Sequence, residues 1–272
     1  MKPCVFINLP AATARRASLE ASFAAAAHDG WTLQRFAAIG PDQAADLPGS
    51  LAPAEKGCFA SHRAVIGEHL DDDAPLFVAE DDAVFSAQAL QVVDRMLARG
   101  HDWDLMFTDV AICDLSLMVH LARQRDSLVA RDDHLPVNLA GRSFFGANAY
   151  VVRGGAKRAL HAALAETVEL NRPYDLHLRD LGAAGRLKIG ACFPFVTTLA
   201  AHADDSQIQD GAAAALFDRT LNAYRRLMYV ERDLAASREA IQALSTAASD
   251  EGSRLVGEIF GIIAAPGFPI AR

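Results

Sequence analysis

No run of roughly 18 or more consecutive apolar residues, the length a membrane-spanning helix needs, occurs in the 272-residue chain. There is no basic surplus either. Lys and Arg total 26 against 34 Asp and Glu, giving a net charge of −8, which speaks against a general nucleic-acid binder. A few local arginines can still cradle an anionic small molecule. The four cysteines, Cys4, Cys58, Cys113 and Cys192, are far apart, with no CxxC pair and no histidine at zinc-finger spacing. They read as free thiols of a reducing cytoplasm. The opening MKPCVFINLP is interrupted too soon for a secretory signal. No G-x-G-x-x-G follows the first strand, and no phosphate-binding P-loop, G-x-S-x-G elbow or H-E-x-x-H pair occurs. His28, His69, His120 and His161 read as structural.

What is present is an ordinary globular composition. Hydrophobic residues make up 51% and charged residues 22%, enough apolar material for one large domain or two small ones. Strand-like and helix-like patterns alternate. Val5 to Leu9 reads as a buried strand, Arg15 to Ala27 as a helix, and the Gly- and Pro-bearing stretch from Ile39 to Pro53 as loop. Ala54 to Leu70 reads as a helix closed by Asp71, Asp72 and Asp73, which look like solvated loop. Leu76 to Val78 is a strand; Ser86 is an expected N-cap for a helix with Leu90, Val93 and Leu97 on one face and Gly100 at its end. Asp104 to Val110 is a further strand. Residues 112–140 look irregular and charged, a candidate lid. Ala147 to Val152 reads as a strand, Gly154-Gly155 leads a helix to about Glu166, and Leu187 to Cys192 is the last clear strand. From Gly211 a helical stripe (Leu216, Leu221, Tyr224, Met228) and a second helical pattern from Glu231 to Ala247 suggest an appendage or an oligomer contact, with a frayed tail at Gly267, Pro269 and Arg272. The alternation predicts an α/β domain with a mostly parallel sheet between helical layers.

The most informative segment is PLFVAEDDAVFS, residues 75–86. Apolar residues drive a strand into the core, and Glu80, Asp81 and Asp82 appear where it emerges. In open α/β sheets ligands bind outside the carboxyl ends of strands. Adjacent carboxylates repel, and a hard divalent cation such as Mg²⁺ or Mn²⁺ relieves that repulsion, especially with phosphate completing its shell. The alternative is a solvated acidic turn at a helix N-terminus. Strand alternation puts Glu80 and Asp82 on one side. Arg15 and Arg16 are either an anion contact near the end of the first strand or a solvated helix face.

Seven segments, in order, resemble glycosyltransferase family 25, the lipooligosaccharide galactosyltransferase family. They are VFINLP-x4-RR (5–16), RFAAIG (35–40), LAPAEKGCFASHRAV (51–65), FVAEDDAVF (77–85), GANAYVVRGGAKRAL (146–160), RPYD (172–175) and FPFVTTLAAHADDSQI (193–208). Pro10 departs from the charged or polar residue that family members often carry after Ile-Asn-Leu. The resemblance covers about residues 3–210 and implies a GT-A-like, Rossmann-like domain over residues 1–210, with 211–272 as a helical extension. It implies transfer of a hexose, galactose first, from a UDP-sugar to a saccharide or lipid-linked saccharide hydroxyl, with inversion, in surface-glycan assembly. Glu80-x-Asp82 then supplies an Asp-x-Asp-like spacing, with Asp82 the first metal ligand, Glu80 the second, and Asp81 turned to the helix or the sugar. Asp175 is the candidate base, or else a helix N-cap. His202 completes the metal shell or is a solvated loop histidine. Asn8, Arg15 and Arg16 are candidate nucleotide contacts. Ser61 and His62 contact the donor, or His62 holds its helix in place. Asp109 is a candidate contact for uracil, ribose or acceptor. Two other classes compete: a non-catalytic nucleotide-sugar-binding module, and a metal-dependent phosphohydrolase. A peripheral contact with the inner membrane face and a homo-oligomer through the C-terminal helices are further expectations.

Overall fold

The computed structural model describes residues 1–205, 212–248, 250–265 and 268. Its elements in chain order are β1 (Lys2–Asn8), α1 (Thr13–Ala25), β2 (Trp31–Ala37), α2 (Pro41–Ala44), α3 (Pro53–Gly67), β3 (Leu76–Glu80), β4 (Ala83–Phe85), α4 (Ala89–Ala98), β5 (Leu105–Ile112), α5 (Leu115–Ala130), β6 (Leu135–Asn138), β7 (Phe144–Val152), α6 (Lys157–Ala165), α7 (Tyr174–Ala183), β8 (Ile189–Phe193), β9 (Thr197–Leu199), α8 (Ala212–Met228), α9 (Leu234–Ala247) and α10 (Glu251–Ile263). Short 3₁₀ turns occupy Gly154–Ala156 and Ala201–Asp205. No helix among the described residues is long and apolar enough to cross a membrane.

The central sheet has seven strands in the order β2-β1-β3-β7-β5-β8-β6. It is mixed. β1, β2, β3, β5 and β8 run one way, while β7, between β3 and β5, and β6 at the edge run the other. Alternation along the strands feeds two cores. Val5, Ile7, Val78 and Phe107 point to the larger one, with α3, α5 to α8 and α10. Cys4, Phe6, Phe77 and Met106 point to the smaller one, with Leu19 and Phe23 of α1 and Leu90, Val93 and Met96 of α4. Helices thus cover both faces, as the βα alternation predicts.

Three differences from the sequence reading have physical causes. Ser86 is not an N-cap: α4 begins at Ala89, with Gln88 in the cap position. The chain stays extended through Ala83–Phe85 because β4 pairs antiparallel with β9, and the Ser86 amide donates to Val196 O at 2.9 Å. Residues 112–140 are not an irregular lid. Asp114 caps α5 by accepting from the Leu117 amide, and Met118, Leu121, Ala122 and Leu128 form its buried stripe. Arg125, on the same stripe, hides the pattern from sequence. It is buried and donates to Tyr229 O and Val230 O. A third helix, α10, follows the two expected in the C-terminal segment. That segment shares the larger core: Leu221, Ala223, Tyr224, Leu227 and Met228 are buried there, and the Tyr224 hydroxyl donates to Met118 O at 2.7 Å. The expected 210/211 boundary, the Ser206 to Ile208 end of the last motif, and Gly267, Pro269 and Arg272 lie outside the described residues.

One close approach sets the position of α3. A Cβ at Gly57 would stand 2.4 Å from the Ile39 carbonyl oxygen, a backbone atom with no rotamer to yield. Gly57→Ala is therefore expected to push α3 away from the loop after β2, with a cost of about 1–3 kcal/mol. Thermal unfolding beside an exposed control such as Gly155→Ala, where nothing lies within 4 Å, checks it.

Candidate functional site

β3 carries four buried residues, Leu76 to Ala79, to the carboxyl edge of the sheet, where Glu80, Asp81 and Asp82 emerge. The three carboxylates have separate partners. Asp81 accepts from Asn8 Nδ2 at 2.7 Å and from Arg15 Nη1 at 3.2 Å, which ties the turn to β1 and α1. Asn8 is itself held by Arg35, whose Nε donates to its side-chain oxygen at 2.9 Å. Glu80 Oε1 meets His62 Nε2 at 3.2 Å. Asp82 Oδ1 is buried with no hydrogen-bond partner.

These environments push the acids in opposite directions. For Glu80, burial raises the pKa, but the His62 hydrogen bond and the charges of His62, Arg225 and Arg15 outweigh it, and the carboxyl sits below its usual value. For Asp82, burial comes first and the neighbouring Glu80 second; Arg225 pulls the other way, and Asp81 and Arg15 act in opposite directions with smaller effect. The result is a pKa pushed up to about 7. An acid held in this way lacks a positive partner.

The Glu55 to His62 run becomes intelligible residue by residue. Glu55 accepts from the Ala52 amide, the one half of a capping box that an alanine N-cap allows, and Lys56 Nζ donates to Leu47 O. Gly57 permits the close approach described above. Cys58 lines the cleft, while Phe59 is fully buried. Ser61 Oγ donates to Gly57 O at 2.7 Å and accepts from the Ile39 amide at 2.9 Å, latching α3 to the loop that follows β2. His62 is fully buried, stacked on Tyr174 at 4.2 Å, with Nδ1 2.9 Å from the Tyr150 hydroxyl, which in turn meets the Tyr174 hydroxyl at 2.8 Å.

Two adjoining clefts meet at the acids. One, about 180 Å³, runs past Leu9, Arg15, Ile39, Pro41, Ser61 and His62. The other, about 500 Å³, runs past Phe145, Gly146, Asn148, Tyr174, Asp175, Phe217, Asp218 and Arg225. Cys58, Glu80, Asp82 and Ala203 line both. The β4–β9 pairing brings His202 here: the Ala200 amide donates to Asp82 O at 2.8 Å, and the following 3₁₀ turn places His202 in the first cleft. His202 Nε2 is buried and has no partner. Arg226 of α8 clamps this turn through Leu199 O, Ala200 O and Asp204. Asp175 lies in the first turn of α7, whose N-cap is Pro173. Its oxygens accept from the Gly146 amide at 2.7 Å and the Leu176 amide at 2.8 Å, leaving lone pairs free on each.

The fold thus gathers Arg15, Ser61, His62, Glu80, Asp81, Asp82 and His202 around the first cleft and Asp175 around the second. Asn8 holds Asp81 from behind. Arg16 lines neither cleft and pairs with Glu20 one turn on, at the exposed face of α1. Asp109 is fully buried and lines neither cleft; it is gripped by Arg225, with Nε to Oδ1 at 2.9 Å and Nη2 to Oδ2 at 2.8 Å. Arg225 also donates to Asn148 and Asn222. The sequence reading missed Cys58, Tyr150, Tyr174, Asn148, Arg225 and Arg226. For Arg225 a signal existed: it adjoins Tyr224 on the apolar stripe of α8, where a charged residue needs a buried partner.

The model of glycosyltransferase family 25 (LPS biosynthesis protein) matches residues 1–177. No curated protein matches the chain.

Proposed function

The chain belongs to glycosyltransferase family 25, a family of lipopolysaccharide biosynthesis, and from that premise we propose that it moves a hexose, galactose first, from a UDP-sugar to a hydroxyl of a saccharide or lipid-linked saccharide, with inversion, on a GT-A-like domain. The observation that carries this reading is the pair of unpartnered buried atoms, Asp82 Oδ1 and His202 Nε2, on two residues that line one cleft at the carboxyl end of β3. Buried polar atoms without partners are costly, and a ligand at a strand end is the ordinary way to satisfy them. The donor set of carboxylate and imidazole suits Mn²⁺ or Mg²⁺, with Asp82 first, then Glu80 and His202. An ion held by these residues would supply positive charge to offset that of the diphosphate.

The chain's own residues divide the remaining tasks. Arg15 borders the first cleft, where the diphosphate and nucleotide belong, and Asn8 and Asp81 hold its end of the site. Asp175 takes the proton of the acceptor hydroxyl from the second cleft, which also presents Phe145 and Phe217 for the apolar face of a sugar ring. The acceptor side is completed by α8, beyond residues 1–177 of the family match.

The test is UDP release from a panel of UDP-sugars with and without Mn²⁺. UDP-galactose turnover dependent on Mn²⁺ and increased by saccharide acceptor is the expected result. Absence of both binding and turnover for every UDP-sugar with either metal would sink it.

A further inference from the structure

We propose that Cys58, His62 and Glu80 form a site for one thiophilic divalent cation of the Zn²⁺ class, overlapping the acidic strand end through Glu80. The ligand atoms Sγ, a ring nitrogen and a carboxylate oxygen all lie within 4.8 Å of one another. His62 Nε2 to Glu80 Oε1 is 3.2 Å and Cys58 Sγ to Glu80 Oε1 is 4.0 Å. Bonds of about 2.0–2.3 Å in a tetrahedron separate N from O by about 3.4 Å and S from O by about 3.6 Å. The two separations that involve Glu80 therefore lie within about 0.4 Å of those a shared tetrahedral ion requires.

The surroundings are those of a built site. His62 keeps Nε2 toward Glu80 because Nδ1 is engaged by the Tyr150 hydroxyl, backed by Tyr174. A partner on the far ring nitrogen is what orients a ligating histidine. The fourth position faces the clefts, which Cys58 and Glu80 both line. A cysteine thiol carries its proton near neutral pH in the absence of a cation. Metal binding releases that proton to solvent as the S–metal bond forms. A mixed sulfur, nitrogen and oxygen set selects a borderline metal over Mg²⁺. Among the described residues no other trio of His, Cys, Asp or Glu converges in this way. On the transferase reading, this cation withdraws Glu80 from the hard-metal site and inhibits.

The experiment uses the metal-free full chain without nucleotide, so its outcome is independent of whether the chain transfers sugar. One equivalent of Co²⁺ is expected to produce a thiolate-to-cobalt charge-transfer band that Zn²⁺ abolishes and that folded Cys58→Ser lacks. In the wild-type chain, Zn²⁺ should slow iodoacetamide labelling of Cys58, read by mass spectrometry, at least tenfold, while Mg²⁺ does not. Absence of the band, its persistence in Cys58→Ser, or unchanged labelling under Zn²⁺ would overturn the proposal. Labelling of the wild type decides the matter should the variant not fold.

Discussion

Replacing Arg225 with methionine is expected to destabilise the chain by about 3–5 kcal/mol, the usual cost of stranding one partner of a buried ion pair. Asp109 is fully buried and Arg225 is 3% exposed, so water cannot take over either charge. Arg225 contributes two hydrogen bonds to Asp109, beside a longer one from Asn148 Nδ2, and itself reaches Asn148 on β7 and Asn222 on its own helix. It joins α8 to the sheet at a point where loss of the cation leaves a carboxylate in an apolar core. The companion Asp109→Asn/Arg225→Met should recover much of the loss, because no charge is then left uncompensated. Chemical denaturation of the set measures this. Equal stability of Arg225→Met and wild type would show that the pair does not secure α8.

Asp82→Asn is expected to separate activity from stability. Mn²⁺-dependent UDP release should fall at least about a hundredfold, roughly 2.7 kcal/mol of transition-state stabilisation. The metal-free chain, in contrast, should become more stable at pH 8. The sign follows from the raised pKa. An acid whose folded pKa lies above its unfolded value of 3.8 stabilises the fold fully below that value and loses this contribution as pH rises through about 7. Wild-type melting temperature should therefore decline across this interval more steeply than that of Asp82→Asn. A variant that loses activity while gaining stability at pH 8 has not lost activity by unfolding.

Much of the site's backbone was legible from local pattern. Leu76 to Val78 reads as a buried strand because a short apolar run meets an abrupt acidic end, and the acids emerge at the sheet edge as that pattern requires. The Glu55 to His62 motif was visible, but the reason for Gly57 was not, since it lies in a carbonyl of another loop. Long-range pairing explains the rest. His202 reaches the acids only because β4 pairs with β9, and Ala83-Val84-Phe85 is too short to announce a strand. α5 was obscured by Arg125, whose burial depends on carbonyls more than a hundred residues away. Asp109 looked like a ligand contact at a strand end, whereas its partner is an arginine in a segment without a recognisable motif.

Under the proposed function, Asp82, which lines the first cleft and has its Oδ1 unpartnered, is the first ligand of a hard-metal, nucleotide-sugar site. The most direct test is calorimetric titration of UDP-galactose into wild type and Asp82→Asn, each with and without Mn²⁺. The account predicts binding to wild type that strengthens at least tenfold with Mn²⁺, and no Mn²⁺ enhancement in Asp82→Asn. Equal Mn²⁺ enhancement in the two proteins would contradict it.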